Sequence, residues 1–129
     1  MPDSRSLAAP RSAPKRLLDD DPSGLGVSVE QREGVARVVL AGELDLSNAA
    51  EFAERLAEAE ATAPAVLEID LRGLGFMDSS GLAQLFAANR RARERGGRVV
   101  VVKDHGPIER VLELARVEDV MNVVEQPSS

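Results

Sequence analysis

From Gly42 onward, short apolar runs alternate with segments of helical period, and this rhythm constrains the fold more than any other feature of the chain. Strands followed by helices in this way are the signature of βαβ units, and hence of a parallel sheet with helices packed against it. Strands are expected at Val66 to Leu71 and Val99 to Val102, the second apolar on both faces and therefore internal, with a last edge strand over Val120 to Val124. Gly73 and Gly75 are expected to loosen the chain before Phe76 and Met77. The first helix is expected to start at Ser47 or Asn48: Asn48 and Glu51 have the spacing of a capping pair, and Phe52, Ala53, Leu56 and Ala59 then recur at helical spacing until Pro64. A second helix has Asp78, Ser79 and Ser80 as cap candidates, Leu82, Leu85, Phe86 and Ala92 as its stripe and Gly96-Gly97 as its stop. Asn89 falls within that stripe, where a polar side chain needs a partner. A third helix begins near Pro107 and buries Ile108, Val111, Leu112 and Ala115.

Ahead of this rhythm, Val27 and Val29 alternate with polar neighbours, Glu33-Gly34 supplies a turn, and Val35 to Leu40 is a β-branched run, so an antiparallel hairpin is expected. Residues 1–24 hold four of the seven prolines and the triplet Asp19-Asp20-Asp21 without apolar periodicity. They read as a disordered, solvated tail, in which Leu17 and Leu18 could dock and Ser4, Ser6 or Ser12 could be modified. The organisation expected is therefore a tail at 1–24, one α/β domain at 25–125 and a disordered C-terminus at 126–129, with a mixed, mostly parallel sheet of four or five strands and three main helices. At 129 residues the chain has the length of a single domain.

The inventory of side chains removes several kinds of chemistry. The chain has no Cys, no Trp, no Tyr, three Phe and a single histidine, His105. Disulfides, thiolate catalysis and cysteine-rich metal sites are excluded, one histidine makes no His-rich metal cage, and the three Phe are expected in the core rather than on a base-stacking surface. No cofactor is expected. The formal charge is −6. In the first 24 residues Arg5, Arg11, Lys15 and Arg16 balance Asp3, Asp19, Asp20 and Asp21, so the whole acidic excess lies in residues 25–129. An acidic body repels a phosphate backbone, so direct nucleic-acid contact is disfavoured. No apolar run approaches the length of a spanning helix and no secretory signal is evident, so membrane insertion is not expected and a cytoplasmic location is.

Right-handed crossovers end every strand of such a series at the same edge, so the loops at 42–48, 77–81 and 103–107 are expected at one rim. Asp78-Ser79-Ser80-Gly81 puts two hydroxyls where a helix begins, a position that favours an anion; either serine could equally be a plain N-cap. The serines lack the flanking glycines of a nucleophile elbow, and no segment has the two glycines, Lys and hydroxyl of a phosphate-cradling nucleotide loop. Asp45 and Asp78 are plausible rim neighbours for carboxylate chemistry, but helix N-termini attract Asp for capping, and His105 reads as an exposed loop residue. No enzymatic activity is expected. The run Arg90, Arg91, Arg93, Arg95 and Arg98 reads as a solvated face matched to a helix dipole.

Gly42-Glu43-Leu44-Asp45 after a strand, then Leu67-Glu68-Ile69-Asp70-Leu71, then Phe76-Met77-Asp78-Ser79-Ser80-Gly81-Leu82, with Val111-Leu112-Glu113-Leu114 downstream, strongly resemble the anti-sigma factor antagonists of the STAS domain family over residues 27 to about 124. The resemblance implies a switch: an unphosphorylated form that binds an ATP-dependent anti-sigma factor serine kinase and releases a sigma factor. Phosphorylation at Ser80 would end that binding, and a phosphatase acting on phospho-Ser80 would restore it. Asp45, Asp78, Ser79 and Gly81 match positions around the phosphosite and are implied as the partner-binding surface. The alternative within the same family is a STAS subunit of a signalling scaffold or lipid-transport complex. Family members usually continue into a final helix, which is expected to be missing or vestigial here. Arg116 stands where they commonly have Gly after the third helix, which argues against a left-handed cap.

Overall fold

The computed structural model describes residues 24–127. The tail expected at 1–24, apart from Gly24, lies outside the described residues, as do Ser128 and Ser129. Five strands form one sheet in the order β1-β2-β3-β4-β5: β1 (Leu25–Arg32), β2 (Val35–Leu44), β3 (Val66–Met77), β4 (Arg98–Val102) and β5 (Asn122–Val124). β1 is antiparallel to β2 and every other neighbouring pair is parallel. The crossovers between the parallel strands carry α1 (Ala49–Glu60), α2 (Ser79–Glu94) and α3 (Pro107–Leu114), with a 3-10 turn (Val117–Asp119) before β5. This is the mixed sheet with three helices that the sequence rhythm predicts.

The hairpin closes where expected. Glu33 and Gly34 both have positive φ, 33° and 86°, the left-handed pair whose twist matches that of two antiparallel strands. Alternation along the strands then sends Val38 and Leu40 of β2, Leu67, Ile69 and Leu71 of β3, and Val99 and Val101 of β4 into one core with Phe52 and Leu56 of α1, Leu85 and Ala88 of α2, and Ile108 and Leu112 of α3. Each of these Val, Leu, Ile and Phe side chains contributes about 1.5–3 kcal/mol through burial.

Four local expectations are revised. β3 does not loosen at Gly73 and Gly75 but runs on to Met77, because two register shifts against β2, at Val39/Ala41 and Gly42/Glu43, absorb the glycines into the ladder. Of the three Phe, Phe52 is buried, Phe86 packs against the core and Phe76, on this extension, is 47% exposed. Arg91 is not a solvated cation: its guanidinium clamps Glu60 of α1 through two hydrogen bonds of 2.7 and 2.8 Å, and Arg95 Nη1 lies 3.9 Å from the same carboxylate. Arg91 and Arg95 thus tie α1 to α2, while Arg90, Arg93 and Arg98 are exposed as expected.

Finally, Arg116 adopts the left-handed conformation (φ 57°, ψ 42°) that the missing Gly argued against. An L side chain there costs about 1–2 kcal/mol, and the ion pair from Arg116 Nε to Asp119 Oδ2 (2.7 Å) is too exposed to offset it. Arg116→Gly should therefore stabilise the chain by about 0.5–1 kcal/mol after the entropy of the unfolded glycine is subtracted. A lowered midpoint in chemical denaturation would contradict the strain.

Candidate functional site

Two of the three loops expected at one rim meet there. β2 and β3 end side by side, Leu44 opposite Met77, and the Asp78 N–H donates to the Leu44 carbonyl at 3.2 Å, fastening the β3–α2 turn to the start of the β2–α1 loop. The third loop does not join them. β4 stops at Val102, in register with Asp70, while β3 continues through residues 71–77, so loop 103–107 leaves the sheet about 20 Å short of the Ser80 turn at roughly 3.3 Å per residue.

Asp78 is the N-cap of α2, with extended backbone and a carboxylate Oδ1 that accepts from the Ser80 N–H at 2.8 Å. Of the three cap candidates, Asp78 is therefore the one that caps: Ser79 and Ser80 are the first two helical residues, and their hydroxyls are not the cap. Ser79 is exposed and Ser80 half-buried. Gly81 is buried, and a Cβ there would lie 2.7 Å from both Leu44 Cδ2 and Met77 Cγ. Only hydrogen in place of a side chain lets α2 start this close to the ends of β2 and β3, so Gly81 faces the core and sets the position of the serines.

The facing loop is built by Asn48 rather than by a capping pair. The Asn48 side chain makes no cap hydrogen bond; it is 2% exposed, accepts from the Asp45 N–H (2.9 Å) and donates to the Glu43 carbonyl (3.0 Å). Asp45 Oδ1 in turn accepts from both the N–H and the hydroxyl of Ser47, at 2.9 and 2.6 Å. The turn held in this way leaves Leu46 79% exposed. With Phe76 at the end of β3, Leu46 gives the rim two uncovered apolar side chains that sequence reasoning missed. Leu46 had a signal, an apolar residue off the helical stripe and flanked by polar loop residues; Phe76 had none, because exposure there depends on where β4 stops.

The rim is acidic and apolar, with Glu43, Asp45 and Asp78 and no histidine. His105 lies on the third loop and is 71% exposed; its Nδ1 is 3.1 Å from Glu109 Oε2 and its Nε2 3.3 Å from Glu125 Oε2. Lys103 also donates to Glu109 Oε2. The Lys103 ammonium, with a smaller contribution from His105, holds the Glu109 carboxyl below its ordinary value of 4.5. A carboxylate whose pKa is depressed on folding stabilises the fold above its unfolded pKa, and that contribution is lost as pH falls through the lowered value. Glu109→Gln should therefore flatten the fall in melting temperature on acidification below about pH 4.5. A wild-type slope retained in the variant would remove Glu109 from the acid response. Among the described residues no group of three or more His, Asp or Glu side chains is arranged to hold a metal ion, and no helix is long and apolar enough to cross a membrane.

The fold and rim define a small α/β domain that presents a serine pair, an acidic fringe and two apolar side chains at the start of a helix. The family description "Mlab, STAS domain" matches residues 27–125, and the chain belongs to the STAS domain family. It is 37% identical over 70 residues to the anti-sigma-F factor antagonist RsfB of Mycobacterium tuberculosis, a match that spans 54% of this chain and 57% of that relative. An anti-sigma factor antagonist from Mycobacterium paratuberculosis superposes with a TM-score of 0.75 at 25% identity, over 82% of this chain and 90% of that one. The same fold occurs in the Bacillus cell fate determinant SpoIIAA, solved in unphosphorylated and phosphorylated forms, with TM-scores of 0.65 and 0.60 at 20% and 19% identity; these matches cover 75% of this chain in each case, and 86% and 89% of those chains.

Proposed function

We propose that the chain is a cytoplasmic anti-sigma factor antagonist. Its unphosphorylated form binds an ATP-dependent anti-sigma factor serine kinase through the rim of Asp45, Asp78, Ser79 and Ser80 and so frees a sigma factor, and phosphorylation of Ser80 ends the complex. The observation that carries this reading is Ser80 itself, at the second residue of α2 behind an Asp cap, in a turn tied by the Asp78 N–H to the Leu44 carbonyl at the start of the loop that exposes Leu46. In the phosphorylation step the Ser80 hydroxyl oxygen forms a bond to the γ-phosphorus of ATP, the bond to the β-γ bridging oxygen breaks, ADP leaves, and the hydroxyl proton passes to a base on the kinase. Water, delivered by a phosphatase, reverses the modification and releases inorganic phosphate. The domain brings no catalytic group to either step; it is a binding module and a substrate.

The test is to incubate the chain with the cognate anti-sigma factor and ATP and to map the product. One phosphate on Ser80, absent from Ser80→Ala, is the expected result; phosphate on Ser79 or on residues 1–23, or capture of transporter subunits in place of an ATP-binding anti-sigma factor, would overturn the proposal. Because exposed apolar side chains at the centre of a patch supply much of the binding energy, Leu46→Ala and Phe76→Ala should each weaken the complex by about tenfold while leaving the melting temperature unchanged. Unchanged affinity in both variants would move the interface away from this rim.

A further inference from the structure

β3 is the longest strand of the sheet, and for part of its length it has a neighbour on one side only. It pairs with β2 from Val66 to Met77, whereas its ladder with β4 ends at Asp70, opposite Val102. Just beyond that point the Arg72 N–H is taken by the Asp70 carboxylate at 3.0 Å, and among the described residues no loop backbone bonds to the β4-side edge of residues 73–77. Gly73 and Gly75 are both exposed, and because glycine has no side chain, what they expose is backbone. The outer edges of the sheet offer less: Arg55 Nη1 of α1 already donates to the Val27 carbonyl of β1 at 2.9 Å, and β5 is three residues long. An open strand edge is a template for another strand.

We propose that residues 73–77 of β3 accept an extended, basic segment of the partner protein as an added strand, lying in line with β4 and running toward the Ser80 turn. This rests on the reading of the rim as the partner-binding surface. The room is there: β4 stops about 20 Å short of that turn, the span of about six extended residues. Charge selects the occupant. Glu43 is in register with Phe76, Asp78 follows β3 directly, and Asp104 stands two residues past β4. Asp78 and Asp104 accept only from backbone N–H groups, those of Ser80 and Gly106, and among the described residues none of the three acids meets a cation. Arg72, at the start of the open stretch, is already held by Asp70 through bonds of 3.0 and 2.7 Å. A second copy of this chain would bring these acids against their like, whereas a segment bearing Lys or Arg neutralises them. Alternation along the added strand then turns every second side chain to the face where Phe76 stands 47% exposed, which selects apolar residues at those positions. In this mode of recognition main-chain hydrogen bonds hold the segment and its side chains select it.

The test has two arms. In the first, a blocked hexapeptide of alternating basic residues and valine is titrated into the isotopically labelled full chain. Alternate amides within residues 73–77 should shift and, at saturation, exchange with solvent at least tenfold more slowly, while those of β1 and β5 hold; a peptide with Glu in place of the basic residues should not bind. Gly75 allows a charge contrast, because a Cβ there would meet nothing closer than the Gly42 carbonyl oxygen at 3.9 Å. Gly75→Lys should weaken the basic peptide about tenfold and Gly75→Glu should not, with both variants melting as the parent does. Equal binding of the two peptides, equal losses in the two variants, shifts confined to β5, or protection that grows with the concentration of the chain alone would each overturn the proposal, the last by making a second copy the occupant. In the second arm the cognate anti-sigma factor replaces the peptide, and the same amides should be protected. A complex that phosphorylation of Ser80 abolishes, but in which residues 73–77 exchange as in the free chain, overturns the added strand and leaves the rim reading in place. Absence of that complex while the basic peptide still binds overturns the rim reading alone.

Discussion

Ser80→Asp should bind the anti-sigma factor on the order of a hundred- to a thousandfold more weakly than the parent chain, a loss of about 3–4 kcal/mol, whereas Ser80→Ala should bind at nearly the parent affinity and accept no phosphate. The asymmetry follows from the turn. Asp78 already spends one carboxylate oxygen on the Ser80 N–H, and Asp45 heads the facing loop, so a second anion at position 80 lands among like charges on a surface that must lose its water to form a complex. The same anion does little harm to the folded domain, because it sits in the first turn of α2, where the helix dipole favours negative charge by some tenths of a kcal/mol. Affinity should thus collapse while the melting temperature holds. Calorimetric titration of each variant into the partner, with circular dichroism for stability, measures both. Equal affinities for the Asp and Ala variants would remove charge as the switch, and a melting transition lost in Ser80→Asp would mean that the modification acts by unfolding the rim.

The parts of this molecule that sequence made legible are those decided within one turn of chain. Glu33-Gly34 can only be a tight turn between two apolar runs, Pro107 suits the start of a helix, and Asp78 precedes a stripe at helical spacing; each is a local fit, and each holds. What escaped depends on which element stops where. That Gly73 and Gly75 stay in a strand depends on register shifts in β2, and that Phe76 is uncovered depends on β4 ending at Val102. Asn48 and Glu51 had a capping spacing, yet the Asn48 side chain makes no cap bond and instead bridges the Glu43 carbonyl and the Asp45 N–H inside the loop. Arg91 looked solvated because its partner, Glu60, lies 31 residues away on another helix. In the candidate site, the Ser80 turn was readable from the tetrapeptide and its neighbours and Leu46 from its place off the helical stripe, whereas the exposure of Phe76 came from the tertiary fold.

Gly42→Ala should have the largest effect on stability, about 3–4 kcal/mol, with a melting temperature lower by roughly 10–20 °C. Gly42 has φ 103°, a conformation that costs an L residue about 1–2 kcal/mol before any contact is considered. Its added Cβ would also lie 2.2 Å from the Gly24 carbonyl oxygen and 3.2 Å from the Gly24 carbonyl carbon. Both are backbone atoms, so no rotamer relieves the overlap. Relief requires β1 to lift at its start, which breaks the Glu43 N–H bond to Gly24 and uncovers Leu25, now 0% exposed. Gly34→Ala is the matched control, with φ 86° and nothing within 4 Å of the new Cβ; it should cost only about 1 kcal/mol, the backbone strain alone. Equal losses in the two variants would show that β1 yields at no cost. A larger loss at Gly42 would tie the entry of the chain into the sheet to the same backbone that, two residues on, receives the Asp78 N–H and holds the Ser80 turn in place.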